Sequence, residues 1–216
     1  MNVGHLKQLL PYILITCTAI VLYLPTLTYD YVYLDDSKLI LDVLPYISNI
    51  GNVVDAFSRD VYYPTDAATY WRPLLTVSFI VNGAIAGERP AIYRATNIAL
   101  HAIASLLVFA LLIQFSHNRD AALFFGLLYA AHPVLSQGVA WIPGRNDSLL
   151  AIFVLLALLW FIRWHKTKKF AYLMFSIISF WPALLTKEVA VVVPVAAMLY
   201  AAFWFKHGER AKSILL

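Results

Sequence analysis

The chain has 216 residues, of which 62% are hydrophobic and only 13% are charged, about half the charged fraction of a typical soluble domain. This composition excludes a soluble globular domain and indicates an integral membrane protein. The net charge of +4 is too small and too scattered to indicate a nucleic-acid partner, and the single cysteine, Cys17, excludes an internal disulfide and a cysteine-based zinc site.

Six largely uncharged segments are predicted to be transmembrane helices, since about 20 apolar residues cross the hydrocarbon core of a bilayer. In chain order they are residues 9–29, 95–115, 121–144, 148–164, 170–186 and 189–205. The third segment contains Pro133, Gly138, Pro143 and Gly144, which predict that its last part leaves helical geometry.

A further apolar stretch, residues 73–87, is ambiguous because it is only 15 residues long and contains Asn82 and Gly83. If it does not cross, nine basic residues gather on the side of the N-terminus: Lys7, Arg119, Arg163, Lys166, Lys168, Lys169, Lys206, Arg210 and Lys212. If it crosses, the two densest basic clusters lie on the opposite side. The positive-inside rule therefore favours six spans, with both termini cytoplasmic and residues 73–87 along the outer face.

The first outer loop, residues 30–91, is long and acidic. It holds eight of the twelve acidic residues: Asp30, Asp35, Asp36, Asp42, Asp55, Asp60, Asp66 and Glu88. The adjacent carboxylates of Asp35 and Asp36 can repel each other and raise one pKa, or hold a divalent cation. Either arrangement provides a general base for a hydroxyl group. The alternative is a solvated loop start without chemistry.

Two positions further along the chain are candidate ligand contacts. Arg72 heads the interfacial stretch, where its guanidinium can bind a phosphate or anchor to ordinary lipid headgroups. The second outer loop runs from His132 to Asp147, and its irregular backbone at membrane depth is typical of a polar cavity wall. Asn146 or Asp147 can instead cap the helix that follows.

Two polar pairs complete the candidates. Asn97 and His101 are four residues apart and share one helix face, which favours interhelical hydrogen bonding over catalysis. Lys187 and Glu188 form the third outer turn, where we expect an ion pair between them that can assist a charged ligand. The inner loops are short and basic, so the chemistry is predicted on the outer side.

Taken in order, these features resemble the N-terminal half of the GT-C glycosyltransferases, polytopic enzymes that use a polyprenyl-phosphate-linked sugar on the non-cytoplasmic face. The similarity covers nearly the whole chain and is closest to the tetratricopeptide-repeat O-mannosyltransferase type. The matching motifs are DDS at 35–37, RPL at 72–74, NxxxH at 97–101, HPV at 132–134, VAW at 139–141, GRxD at 144–147 and LLTKE at 184–188.

The resemblance implies an all-α membrane fold of about six transmembrane helices. Its extracytoplasmic loop, residues 30–91, would carry interfacial helices, and residues 206–216 would form a cytoplasmic tail. The implied reaction transfers a sugar, with mannose the first candidate, from a polyprenyl-phosphate donor to a hydroxyl of a protein or glycan acceptor. The expected location is a bacterial inner membrane.

The resemblance also implies residue roles. Asp35 would act as the base, with Asp36 as a second carboxylate or metal ligand, and Arg72 would bind the donor phosphate. A looser similarity to the bacterial aminoarabinose transferases implies a catalytic aspartate at Asp35, a phosphate-binding basic residue at Arg72 and a second acid at Asp147. Arg145 would help to hold the phosphate, and Asp147 would orient the acceptor or ligate a cation such as Mg²⁺ or Mn²⁺. His132 would contact the sugar.

The chain departs from the family pattern in two respects. Gln137 stands where the second loop usually carries an acid, which removes one candidate metal or substrate ligand. The chain has about half the usual number of spans and no tetratricopeptide repeats, so we expect a fragment or a truncated product. Two alternatives are a transporter or channel module, whose charges would lie nearer the membrane midplane, and an inactive fragment that binds lipid or a partner.

Overall fold

A computed structural model describes residues 3–33, 35–64, 70–116 and 118–214, with the backbone alone at residues 3, 4, 6, 116 and 204–214. Asp66 therefore lies outside the described residues, as do the side chains of Lys206, Arg210 and Lys212. The part of the chain so described is helical and contains no strand, as the all-α membrane prediction requires.

Nine α-helices are present among the described residues. They are α1 (Val3–Tyr23), α2 (Leu44–Ile47), α3 (Pro73–Ala86), α4 (Pro90–Ser116), α5 (Arg119–Ala130), α6 (Ser136–Ala140), α7 (Arg145–Thr167), α8 (Phe170–Thr186) and α9 (Val192–Ile214). Short 3-10 helices lie at Leu24–Thr28, Ile50–Val53, Asp55–Ser58, Pro133–Leu135 and Glu188–Val191, and a π-helix lies at Ser37–Leu41.

The long helices alternate in direction, as contacts at the two ends of the bundle indicate. At one end, called the basic end, Arg119 donates a hydrogen bond to the carbonyl of Gln8 and Lys166 Nζ donates to the carbonyl of Gln114 at 2.7 Å. At the opposite end, called the loop end, Lys187 at the end of α8 contacts the first turn of α7. The basic residues Arg119 and Lys166 therefore lie at the same end as the start of α1, as the charge distribution predicts.

Three helical segments are long and apolar enough to cross a membrane: Lys7–Thr28, Pro90–Phe115 and Arg145–Thr167. α5 and the segment Pro133–Ala140 make a fourth if they form one span bent by 45°. α8 and Glu188–Phe203 are apolar but shorter, so the number of six spans stays a prediction. Large apolar side chains exposed on these helices provide surfaces suited to lipid, since a soluble protein rarely exposes so many.

The predicted third span breaks after Ala130, where α5 ends. Pro133 has no N–H group to continue the helical hydrogen bonds. His132 adopts an extended backbone, and its Nδ1 accepts a hydrogen bond from the Val134 N–H at 3.3 Å. The predicted interruption is confirmed after Ala130, although residues 133–140, including Gly138, are helical again.

α3 lies at the loop end and does not cross the bundle. Its 14 residues extend over about 21 Å, less than the roughly 30 Å of a hydrocarbon core. Arg72, just before α3, reaches Glu188, and Asn82 Nδ2 donates to Thr96 Oγ1 at 2.9 Å in the first turns of α4. Both ends of α3 therefore lie near one face, as we inferred for residues 73–87.

The segment 35–61 folds over α3 around its own apolar core. That core consists of Leu39, Ile40, Val43, Ile47, Ala56, Val61, Leu75, Phe79, Ile80, Tyr93 and Ile142. Gly83 lies so close to the carbonyl of Ile47 that a Cβ atom there would come within 2.6 Å of its oxygen. This tight packing places the start of the first loop directly against α3 and the second loop.

Candidate active site

A polar cleft with a volume of about 110 Å³ opens at the loop end. The polar and aromatic side chains that line it are Asp35, Tyr62, Arg72, Trp141, Asn146, Asp147 and Lys187. Three of the predicted site residues, Asp35, Arg72 and Asp147, are thus brought together from distant parts of the chain. Their chemical roles stay predictions.

Asp35 lies on the wall of the cleft that the first loop provides. It is half-buried and begins a helical turn that continues into the π-helix Ser37–Leu41, whose Leu39 and Ile40 are anchored in the apolar core. The Tyr62 hydroxyl donates a hydrogen bond to the Asp35 carboxylate. Burial, and then the negative charge of Asp35, raise the pKa of Tyr62, which keeps that hydroxyl protonated as a donor.

Asp36 does not line the cleft, and this corrects the expectation that it ligates a cation with Asp147. Its side chain is completely buried, Oδ2 accepts a hydrogen bond from the Val32 N–H at 2.7 Å, and Oδ1 has no hydrogen-bond partner among the described residues. Burial raises the pKa of Asp36, while the Val32 N–H and the nearby Arg94 oppose this effect. Successive helical residues point about 100° apart, so the two carboxylates face different environments.

Arg72 lies at the opposite wall, just before α3, with its guanidinium held on three sides. Its Nη2 and Nε donate to the two carboxylate oxygens of Glu188 at 2.6 and 3.3 Å. With the Asn146 amide oriented to satisfy its hydrogen bonds, Nη1 donates to Asn146 Oδ1 at 3.2 Å, and Asn146 Nδ2 donates to the Thr186 carbonyl. The guanidinium carbon lies 4.5 Å from the centre of the Tyr70 ring.

Asp147 forms the third wall, in the first turn of α7. Its Oδ1 accepts a hydrogen bond from Lys187 Nζ at 2.5 Å. The expected ion pair between Lys187 and Glu188 is wrong, because each residue pairs across the cleft instead. The capping interpretation of Asn146 and Asp147 is also wrong, because Gly144 is the N-cap of α7 and no side chain caps it.

Arg145 does not reach the cleft, which corrects the expectation that it helps to hold a phosphate. Its side chain is completely buried, with the guanidinium carbon 4.7 Å from the centre of the Phe79 ring. It donates to Asn97 Oδ1 at 2.9 Å, Asn82 Oδ1 at 2.6 Å and the Tyr93 carbonyl at 2.8 Å. Arg145 therefore joins α3, α4 and α7 behind the cleft.

The remaining predicted positions also lie away from the cleft. His132 is exposed, caps the turn that follows it and borders an apolar groove with Tyr129 and Leu135. Asn97 Nδ2 donates to carbonyls of the second loop, including Trp141 O at 3.0 Å, and His101 Nε2 lies 3.0 Å from the Ala130 carbonyl. The hydrogen-bonding interpretation of Asn97 and His101 is confirmed.

Tyr62 and Asn146 are cleft residues to which sequence reasoning gave no functional role. Tyr62 lies in a tyrosine-rich stretch without a motif, so no signal in the sequence identified it. Asn146 lay inside the GRxD motif, and its position next to Asp147 was the available signal. The described residues contain no group of three or more His, Cys, Asp or Glu side chains that could hold a metal ion.

Comparisons with known proteins identify a family and relatives of this chain. The family model for dolichyl-phosphate-mannose-protein mannosyltransferase matches residues 77–215. The chain is 34% identical to protein O-mannosyl-transferase Tmtc1 of Drosophila melanogaster over 183 residues, which are 80% of this chain and 20% of that protein. It is 31% identical to protein O-mannosyl-transferase TMTC2 of Homo sapiens over 202 residues, 90% of this chain and 24% of that protein.

The matches cover most of this chain but only a small part of each relative. The chain spans about a fifth to a quarter of the length of the curated relatives it matches. No solved structure matches it.

Proposed function

This chain belongs to the dolichyl-phosphate-mannose-protein mannosyltransferase family, and we propose that it provides the cleft in which a membrane glycosyltransferase transfers mannose from a polyprenyl-phosphate donor to a protein hydroxyl. The names of the relatives, protein O-mannosyl-transferases, support a mannose donor and a protein acceptor. The observation that carries the proposal is the single cleft lined by Asp35, Arg72 and Asp147.

The proposed reaction divides the work between the two walls of the cleft. Asp35 accepts the proton of the acceptor hydroxyl as its oxygen bonds to the anomeric carbon of the sugar. The bond between that carbon and the phosphate oxygen breaks, and the phosphate leaves with the electron pair. A phosphate is a good leaving group, so it needs no general acid to protonate it. Negative charge builds up on its departing oxygens, and the guanidinium of Arg72 supplies the positive charge that stabilises them.

The proposed place of Asp147 is beside the acceptor, where it would orient the hydroxyl. A divalent cation stays a prediction, but the residues present fit it poorly. Asp36 is buried away from the cleft, and Asp147 is already paired with Lys187. No step of the proposed reaction therefore passes through a metal ion.

The proposed orientation places the cleft on the non-cytoplasmic side and both termini in the cytoplasm. Its support is the separation of Arg119 and Lys166 at one end of the bundle from the acidic first loop at the other. The assignment to a bacterial inner membrane stays a prediction, since the relatives named above come from animals.

The experiment that tests the proposal is a transfer assay with the complete protein in lipid nanodiscs. Dolichyl-phosphate-linked radiolabelled mannose and a serine- and threonine-containing acceptor peptide are the substrates. We expect label in the peptide with the parental protein and a loss of about two or more orders of magnitude with Arg72→Ala.

The matched control is Arg89→Ala, which removes an exposed arginine of the same loop away from the cleft. Its transfer rate should equal the parental rate. If Arg72→Ala transferred mannose as fast as Arg89→Ala, the cleft would not be the donor site.

A further inference from the structure

The turn that joins α8 to α9 lies beside the cleft and forms two ion pairs with it. Lys187 supplies the cation of one pair, and Glu188 supplies the anion of the other. Lys187 Nζ lies 2.5 Å from Asp147 Oδ1, and Arg72 Nη2 lies 2.6 Å from Glu188 Oε1. Lys187 and Glu188 are consecutive, so one backbone segment supplies both contacts. In this arrangement Arg72 and Asp147 are engaged by the protein itself.

Glu188 occupies the edge of Arg72 that a phosphate would need. Asn146 takes Nη1 and the Tyr70 ring covers a face of the guanidinium, while Glu188 binds both Nε and Nη2. This Nε–Nη2 edge is a planar fork of the kind that binds carboxylate and phosphate oxygens in the same bidentate geometry. A carboxylate and a phosphate therefore compete for it.

Exposure indicates which partner of each pair is able to leave. The side chains of Arg72 and Lys187 are 16% and 26% exposed, whereas those of Glu188 and Asp147 are each 61% exposed. The cations are held in the cleft and the carboxylates reach it from solvent. Ion pairs with an exposed partner contribute little stability, so an incoming anion is able to replace Glu188.

We propose that Glu188 is an internal competitor for the donor phosphate and that Lys187 is a second ligand of that phosphate. This inference rests on the proposed function, which places a lipid-linked phosphate at Arg72. A phosphodiester carries one negative charge, so it replaces the Glu188 carboxylate without changing the charge of the cleft. The Glu188 side chain moves out toward solvent, while Lys187 stays in the cleft and exchanges Asp147 for the phosphate, which frees Asp147 for the acceptor.

The test measures binding of radiolabelled dolichyl-phosphate-mannose to the protein in nanodiscs without acceptor. Glu188→Gln removes the competing charge and should tighten binding by about two- to fivefold. Lys187→Gln removes a charged ligand and should weaken binding by about tenfold. The matched control is Glu88→Gln, an exposed acid of the first loop outside the cleft, which should leave the affinity unchanged.

A double variant distinguishes competition from a general effect on folding. Because Glu188 acts through Arg72, Glu188→Gln should tighten binding in the parental protein and have no effect in an Arg72→Ala background. Inorganic phosphate, added as a competitor, reveals whether the anion alone is recognised. The dissociation constant of inorganic phosphate, obtained from this competition, should be lower for Glu188→Gln than for the parental protein.

The possible failures are separable. If Arg72→Ala does not weaken donor binding, the proposed function is wrong. If Arg72→Ala weakens binding but Glu188→Gln leaves the affinity unchanged or lowers it, Glu188 is not a competitor and this inference is wrong. An equal gain in affinity from Glu188→Gln with and without Arg72 would also overturn it.

Discussion

Arg145 is completely buried, and no carboxylate among the described residues forms an ion pair with it. Neutral oxygens of Asn82, Asn97 and the Tyr93 carbonyl satisfy its donors instead. A buried charge is tolerated when hydrogen bonds replace its water shell. The stability of the loop end therefore depends on the exact shape of this guanidinium.

We predict that Arg145→Lys destabilises the protein, although it keeps the charge. The lysine side chain is shorter and ends in a single ammonium group, without the planar fork of a guanidinium. It cannot reach three acceptors on α3 and α4 together, so buried oxygens lose their partners. The expected loss is about 2–4 kcal/mol in the free energy of unfolding. Thermal unfolding in detergent measures it, with the exposed Arg89→Lys as control; equal midpoints for the two variants would contradict this role.

The family resemblance implied a different role for Arg145, which lies in the GRxD motif at 144–147. The motif around Arg145 does not reveal that α3 packs over the second loop. The signal that was available lay elsewhere: Asn82 and Asn97 interrupt apolar stretches, and such amides need buried partners. Asp36 was misplaced for a similar reason, since adjacency in sequence does not give a shared direction on a helix.

At the scale of elements, the turn from α6 to α7 depends on Gly144. A Cβ atom at this position would lie 2.3 Å from the Gln137 carbonyl oxygen and 3.0 Å from the Trp141 carbonyl oxygen. Real Cβ atoms do not approach backbone this closely, so the second loop would have to shift. That loop carries Asn146 and Asp147 into the cleft.

We predict that Gly144→Ala lowers both stability and donor affinity, because it displaces one wall of the cleft. The expected loss of stability is about 1–3 kcal/mol. Gly138→Ala is the matched control, since its Cβ atom would meet its nearest neighbours at an ordinary 3.7 Å. The thermal unfolding midpoint and the affinity for dolichyl-phosphate-mannose should change for Gly144→Ala alone. If Gly144→Ala kept the parental midpoint and affinity, the loop would adapt to the added Cβ atom and this prediction would be wrong.

The helical elements were largely predictable from the sequence, because apolar length and the positions of proline determine them. Five of the expected spans overlap long helices, and the interrupted one breaks at His132–Pro133 as the prolines indicate. The boundaries were less predictable. α7 begins at Arg145, before the predicted span 148–164, and Arg145 in its first turn binds Asn82 of α3.

At the scale of the whole molecule, the separation of charge leads to a topological prediction. On a Cys17→Ser background, Lys168→Cys at the basic end should resist an impermeant maleimide applied from outside the cell. Val54→Cys, which lies at the loop end and is 81% exposed, should react. Outside labelling of Lys168→Cys would contradict the proposed orientation.

The cleft itself was only partly predictable. Asp35, Arg72 and Asp147 were identified from motifs, and the structure brings them together. The ion pairs Arg72–Glu188 and Asp147–Lys187 were not predicted from the sequence. They join segments far apart in the chain through a turn whose geometry no local pattern specifies.

The central claim is that Asp35 is the base in a cleft whose Arg72 holds the donor phosphate, and Asp35→Asn tests it most directly. The substitution removes the base and scarcely changes the shape of the side chain. In the complete protein, we expect mannose transfer to fall by about two to four orders of magnitude, while binding of dolichyl-phosphate-mannose stays within about twofold of the parental affinity. Transfer at the parental rate by Asp35→Asn would contradict the account.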